Sequence, residues 1–321
     1  MRAIVMSEHG GPDVLQIQEL PDPVPADDEV LIRVKAFGLN HADTYMRSGV
    51  WPFGIPVLGI EAAGTIERDP TGRLAPGTTV VAIVGGMART RNGSYAELVA
   101  VPAGNVIPVE TTLDWPDLAA IPEVYATAWV ALRDNLALES GQSVLIRGAT
   151  SSVGRAAINI ARDLGATVIA STRNPARVEL LRELGADDVV IEDGELAGKV
   201  RVDAVLDLVG NIVLRDSLQV VRPKGRVCQI GFLGGLEPVA DFNPLMDIPS
   251  GVQLSTFASA FVLGDAEFPT TDVPLQEIVT KAEQGDYSAK PARVFGFDQI
   301  VEAHRLMDAG EPGGKLVVTV G

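Results

Sequence analysis

From Met1 to about Asp114, apolar residues recur at alternate positions in short runs, among them Glu29 to Ala36, Thr78 to Val84 and Tyr95 to Val101, with glycine and proline clusters between them. A period of two turns one side of each run toward a core and the other toward water, so this region predicts an all-β domain. From Trp115 to Leu138 the period lengthens. Leu118, Ala119, Tyr125, Ala128, Trp129 and Leu132 fall on helix faces, and Pro122 interrupts them. A domain boundary is expected near Trp115.

After Gly141, apolar runs alternate with helical segments: Val144 to Ile146, then Val153 to Leu164, then Val168 to Ala170, then Pro175 to Leu184. Further apolar strands are predicted at Val189 to Ile191, Ala204 to Leu208, Arg226 to Ile230 and Gln253 to Phe257. Strands and helices in alternation imply an α/β fold, a doubly wound parallel sheet with helices on both faces. The tail carries helices at Val273 to Gln284 and near Asp298 to Met307 and a closing strand, Lys315 to Val320. It is too short to fold alone. The expected division is therefore 1–115, completed by 262–321, and 116–261.

Charge narrows the range of partners. Lysine and arginine total 26 against 42 aspartates and glutamates, a formal charge of -16. Such a surface repels nucleic acid and anionic membranes while still allowing one locally basic pocket. Between Met1 and Pro12 the only apolar run is Ala3 to Met6, too short for a secretory signal core, and no stretch approaches a membrane span. The single cysteine, Cys228, cannot form an intrachain disulfide and fits a reducing compartment, so a cytoplasmic location is expected.

The first strand of the alternating region runs through Arg147 into Gly148, Ala149, Thr150, Ser151, Ser152, Val153 and Gly154, a tight turn opening a helix. Small residues there let backbone N–H groups of Ser151, Ser152 and Val153 approach a pyrophosphate, and the helix N-terminus adds its positive dipole end. This points to a dinucleotide. At the end of the second strand an acidic residue would bind ribose hydroxyls and repel a 2′-phosphate. Here the chain reads Ser171, Thr172, Arg173, Asn174, with Arg177 following and no carboxylate among them. Thr172 can hydrogen-bond a 2′-phosphate and the arginines can pair with it, so NADPH is the expected cofactor.

Segments spread along nearly the whole chain carry a resemblance. Phe37 to Gly49 (FGLNHADTYMRSG) is followed by Pro56 to Gly64 (PVLGIEAAG), Gly93 to Pro102 (GSYAELVAVP), the glycine-rich turn, Leu184 to Val189 (LGADDV), Asp207 to Gly210 (DLVG), Gly225 to Gly231 (GRVCQIG) and Gly314 to Val318 (GKLVV). In order and spacing the chain resembles the zeta-crystallin-like quinone oxidoreductase branch of the medium-chain dehydrogenase/reductase superfamily. The resemblance implies a GroES-like β-rich catalytic domain, a Rossmann NADPH-binding domain and an active site in the cleft between them. It also implies a homodimer, with Gln253 to Phe261 as the pairing edge.

Members that oxidise alcohols hold a catalytic zinc through a cysteine in the first motif and a histidine in a Gly-His-Glu motif. At the matching positions this chain has Asn40 and Ile60, and one cysteine with His9, His41 and His304 cannot rebuild the usual tetrahedral site. No metal is expected, and Glu61 reads as a structural acceptor. Without a Lewis acid, hydride transfer favours an acceptor that spreads charge, a quinone or a conjugated enone, with a hydrogen-bond donor near its oxygen. The resemblance puts Tyr45 and Asn40 beside the nicotinamide as catalytic candidates. It puts Thr127 at the nicotinamide ribose or carboxamide, and it includes Gly231 in the cofactor site. Trp51 and Phe53 are candidate walls of an apolar acceptor pocket, as are Phe257 and Phe261, whereas Cys228 and His41 read as structural. Two alternatives stay open: an enoyl or alkenal reductase acting on acyl thioesters or small alkenals, and a noncatalytic NADPH-binding redox sensor.

Overall fold

The computed structural model describes every residue except Gly54 and Glu311. Two compact units emerge, one of 1–126, 260–285 and 289–321, the other of 127–259 and 286–288. The sequence pattern put the divisions at 115 and 261; residues 115–126 count with the first unit, where the helix Trp115–Ala119 packs on three of its strands.

In the first unit, β1 (Arg2–Met6) pairs antiparallel with β2 (Leu15–Glu19). Then follow β3 (Glu29–Gly38), α1 (His41–Ser48), β4 (Glu61–Arg68), β5 (Thr79–Ile83), β6 (Leu98–Pro102), β7 (Val106–Pro108), α2 (Trp115–Ala119) and α3 (Pro122–Val130), whose residues from Thr127 on count with the second unit. Strand β3 is the spine. Val30, Ile32 and Val34 are at most 2% exposed and Arg33 is exposed, while Leu31 and the stretch Ala36 to Gly38 are buried as well, so the strand is covered on both faces over part of its length.

The all-β expectation for this stretch fails at α1, an eight-residue helix. It starts where the Asp43 carboxylate accepts the Asn40 backbone N–H (2.9 Å) and stops at Gly49, whose φ of 82° lies in the left-handed region. Its buried residues are Asp43, Thr44, Met46 and Arg47, three of them polar. A helix whose inner face is charged leaves no apolar period to read.

The second unit runs β8 (Ser143–Arg147), α4 (Ser152–Asp163), β9 (Thr167–Thr172), α5 (Val178–Glu183), β10 (Asp188–Ile191), β11 (Val202–Asp207), α6 (Leu214–Gln219), β12 (Val221–Gln229), α7 (Pro244–Asp247) and β13 (Gln253–Thr256). All its strand pairs are parallel, in the order β10-β9-β8-β11-β12-β13. Counted within the unit this is 3-2-1-4-5-6, the dinucleotide-binding order, with the topological switch between β8 and β11. Val144, Leu145 and Ile146 are fully buried, as a central parallel strand covered on both faces requires. The expected α/β Rossmann architecture is present.

Arg147 closes β8 and is buried. Its guanidinium binds Glu192, Asp216 (2.8 Å) and the Ser217 hydroxyl (3.0 Å), while Glu192 also accepts from Ser171 (2.7 Å). One cation thus ties together the C-terminal ends of β8, β9 and β10. Breaking such a pair from one side costs about 3–5 kcal/mol, because the partner charge stays buried.

The chain then adds α8 (Ser259–Val262), α9 (Leu275–Gln284), β14 (Arg293–Gly296), α10 (Ile300–Asp308) and β15 (Leu316–Thr319). β15 pairs antiparallel with β3, so the closing segment completes the first unit's sheet, β14-β15-β3-β4-β5-β7 with β6 also on β3. Among the described residues no helix is long and apolar enough to cross a membrane.

Candidate functional site

In the first unit the site is built around α1. Asn40, its N-cap, is only 9% exposed. The Asn40 side-chain amide donates to Glu61 Oε1 (2.9 Å), and Lys315 Nζ donates to Asn40 Oδ1 (2.7 Å) and pairs with Glu61 Oε1 (2.5 Å). Glu61 Oε2 accepts the Glu123 backbone N–H (2.9 Å). Gly38 makes room for this cluster: a Cβ there would lie 2.4 Å from both Glu61 Oε1 and Lys315 Cε. Lys315 went unassigned in the sequence, although it stands in the Gly314 to Val318 motif; only the strand pairing of β15 with β3 brings it to Asn40.

Asp43, fully buried, accepts from the backbone N–H groups of Asn40 (2.9 Å) and Gly59 (3.1 Å). Burial pushes its carboxyl up to about 7 against those donors and the nearby Lys315, which favour the charged form. Behind it lies a buried chain of polar groups. Arg47 donates to His304 Nδ1 (2.9 Å) and binds Asp308 (2.7 Å), and His304 Nε2 lies 3.0 Å from the Tyr95 hydroxyl. Arginine has no acceptor, so Nδ1 must accept and the imidazole proton sits on Nε2, donating to Tyr95. That leaves the Tyr95 proton for Asp43. Burial, then the Asp43 charge and hydrogen bond, hold the Tyr95 phenol well above its ordinary range.

Tyr45 is half-buried on α1. Its hydroxyl has no hydrogen-bond partner among the described residues, and burial raises its proton affinity. Its ring meets Trp51 edge-on (centroids 5.1 Å), Trp51 meets Phe261 (4.9 Å), and Phe53 lies 6.0 Å from Phe261. Arg89 stands over Phe261 at 5.1 Å and donates to its carbonyl (3.2 Å). Trp51, Phe53 and Phe261 therefore form one aromatic group with Tyr45. Phe257 is buried and belongs to the second unit. His41 is half-buried, 6.3 Å from the Tyr45 ring; burial and then Lys315 lower its proton affinity.

The side chains here do not fit a zinc ion. Ile60 is an apolar residue in the core, Asn40 offers an amide already engaged at both ends, and Glu61 binds an ammonium. No group of three or more His, Cys, Asp or Glu able to hold a metal occurs among the described residues.

In the second unit, Ser151 caps α4 by accepting the Gly154 N–H (3.1 Å), while its own N–H is taken by the Gly148 carbonyl (3.0 Å). The N–H groups of Ser152 and Val153 have no partner among the described residues, so these two point onward from the helix start, where a pyrophosphate would be received. Gly154 cannot carry a side chain: a Cβ would lie 2.7 Å from the Gly148 carbonyl oxygen and the Ala149 Cα. The turn thus fits a dinucleotide. Thr172 is buried at the end of β9, its hydroxyl accepting the Asn174 N–H (3.1 Å). Arg173 and Arg177 are exposed, and neither pairs with a carboxylate among the described residues. Arg155, absent from the sequence candidates, donates to the Thr150 carbonyl (3.1 Å); burial and then Arg177 weaken its hold on its proton. Thr127 is buried on α3, Gly231 lies just past β12 against Leu208, and Cys228 is buried, its thiol pushed up to about 11.

Residues 26–111 match the alcohol dehydrogenase GroES-like domain and 152–274 the zinc-binding dehydrogenase family. Human quinone oxidoreductase is 31% identical over 99% of this chain and 97% of its own length. A phenolphthiocerol/phthiocerol polyketide synthase subunit from Mycobacterium tuberculosis is 28% identical over 98% of the chain, which spans 14% of that protein. Among solved structures, a mycobacterial protein complexed with NADPH has a TM-score of 0.87 at 26% identity, and an NAD-dependent alcohol dehydrogenase 0.84 at 29%, each covering 100% of both chains. A GroES-like unit with a dinucleotide-binding unit is the architecture of the medium-chain dehydrogenase/reductases. Within them, the chain belongs to the quinone oxidoreductase branch.

The buried chain behind Asp43 makes the first unit acid-sensitive at one named group. Burial and then Arg47 hold His304 down to about 3, well below the ordinary histidine value of 6.5. Between those values the unfolded chain takes up a proton that the folded chain refuses, so stability falls on acidification. Asp43, raised instead, acts in the opposite direction between about 4 and 7, and this contribution is common to a His304→Gln variant. From pH 6 to pH 4 the parent protein is therefore expected to lose roughly 3 kcal/mol more than His304→Gln, read from urea unfolding. Parallel pH profiles would contradict a neutral His304.

Proposed function

We propose that the chain is a zinc-independent, NADPH-dependent oxidoreductase that delivers hydride to a quinone or a conjugated enone. The observation that carries this reading is a pair of donors uncommitted among the described residues, the Tyr45 hydroxyl on one short helix and the second side-chain N–H of its N-cap Asn40, beside an aromatic group and without a metal-binding set among those residues. A bound nicotinamide supplies the hydride. Ser152 and Val153 N–H groups receive its pyrophosphate, Gly231 and Thr127 border the nucleotide, and Thr172, Arg173 and Arg177 face a 2′-phosphate. Trp51, Phe53 and Phe261 hold a flat apolar acceptor and exclude water from it. Tyr45 and Asn40 donate to the acceptor oxygen as charge develops there, and Tyr45 is the candidate to pass on a proton.

An acyl-thioester or alkenal acceptor would make the same demand for oxygen donors, and the similarity to part of a polyketide synthase favours keeping it as the second reading. Anaerobic initial rates with NADPH and NADH against quinones, enones, an enoyl thioester and a simple ketone decide among these. NADPH with conjugated acceptors is expected to be favoured; replacing Arg173 and Arg177 by alanine should lower kcat/KM for NADPH about ten- to a hundredfold and leave NADH nearly unchanged. A preference for NADH would remove the 2′-phosphate assignment. Cofactor binding without turnover of any acceptor would leave the noncatalytic sensor.

Strand β13 ends the second unit's sheet, and Leu245 and Met246 on α7 are 87% and 77% exposed. This supports a homodimer joined through the β13 edge. Sedimentation is expected to give twice the chain mass of 33.8 kDa; a monomer at micromolar concentration would refute it.

A further inference from the structure

We propose that Lys315 and Glu61 are positioning residues that lock the Asn40 side chain with its amide nitrogen toward the acceptor oxygen. This inference rests on the oxidoreductase reading above. An ammonium can only donate, and Lys315 Nζ lies 2.7 Å from one end of the Asn40 amide; a carboxylate can only accept, and Glu61 Oε1 lies 2.9 Å from the other. The two ions therefore fix which end is oxygen and which is nitrogen. Turning the amide end for end would set the NH2 group against the ammonium and the carbonyl against the carboxylate, two like contacts in place of two charge-assisted hydrogen bonds.

The lock is itself held. The side chains of Lys315 and Glu61 are 4% and 0% exposed, Glu61 Oε2 is occupied by the Glu123 backbone, and Gly38 lets both ions lie against bare main chain. One Asn40 N–H is spent on Glu61. The other has no partner among the described residues and serves the acceptor. Without the lock, a free amide could present its carbonyl lone pair to a developing oxyanion, which repels instead of stabilising. Lys315 also polarises the amide, which strengthens the remaining N–H as a donor. Lys315 need not touch the acceptor: it acts through Asn40.

A double-substitution cycle reads this directly. Lys315→Met is expected to lower kcat for an enone about ten- to a hundredfold, while the NADPH dissociation constant, followed by nicotinamide fluorescence, stays within about twofold. Lys315→Arg should recover most of the loss. In an Asn40→Leu background the same Lys315→Met change should cost under about twofold, because the group it positions is gone. Equal losses in both backgrounds, or an unchanged kcat, would overturn the proposal. Where the methionine variant does not fold, Lys315→Gln, which keeps a donor but no charge, takes its place, with an expected loss smaller than that of Asn40→Leu. A second readout needs no turnover. In asparagine-selective ¹⁵N-labelled protein, the Asn40 side-chain signals, assigned by their disappearance in Asn40→Leu, should be sharp and inequivalent in the parent and broadened in Lys315→Met; identical signals would overturn the lock. An unsubstituted chain that turns over no acceptor would instead refute the oxidoreductase reading, and the inference with it.

Discussion

Charge buried under α1 has to be answered by charge or by hydrogen bonds, and that constraint organises the first unit. Lys315, just before the last strand, neutralises Glu61, from β4; Arg47, on α1, is answered by His304 and Asp308 from α10. Each pair joins segments far apart in sequence, so the polar face of α1 is seated by residues that the closing segment and α10 bring back to the N-terminal sheet. A buried charge left alone would cost far more than the helix itself contributes. Among the described residues the buried side-chain polar atoms without a partner are Arg89 Nε, Arg91 Nε and Ser94 Oγ, and beside the paired ions the half-buried Tyr45 hydroxyl and one Asn40 side-chain N–H also carry no hydrogen bond among those residues.

The second unit solves a different problem, keeping backbone N–H groups free at a helix start in an acidic protein, where a pyrophosphate would be received. Its means are local. A parallel sheet brings the N-terminus of α4 to the end of β8, the Ser151 cap consumes one amide and leaves two, and Gly154 removes the side chain that would hold the helix away from the turn. Arg155 and Arg177 lie close enough to act on each other, and Arg173 follows the end of β9, in a chain whose formal charge is -16. Arg147, by contrast, faces inward and is fully paired, so its charge supports the strand ends and is not offered to a ligand.

Much of this was legible in the chain. The parallel sheet was visible because its strands are continuous apolar runs, and the dinucleotide turn because small residues follow such a run. What escaped the pattern escaped for physical reasons. Helix α1 has a polar inner face and therefore no apolar period. Lys315 looked like one more lysine, since its meaning depends on the antiparallel pairing of β15 with β3 and not on its neighbours in sequence. Glu61 was read as a structural acceptor, and the structure gives that reading content: it accepts from a lysine, an asparagine and a backbone amide. The resemblance marks Tyr45 as a donor, and Trp51 and Phe53 are read from the chain as pocket walls; the ring contacts with Phe261 show the four as one group.

On the proposed reading, an amide held by buried ions and a phenol packed against Trp51 do for a conjugated acceptor what a metal does for an alcohol in other members of the superfamily. It is tested most directly by following deuterium from [4-²H]NADPH into an enone, using protein whose zinc content has been brought to background by chelation and verified by elemental analysis. Deuterium on the β-carbon of the saturated product, at a rate unchanged by added zinc, is the expected result. Transfer that appears only when zinc is restored, or none under any condition, would contradict the claim.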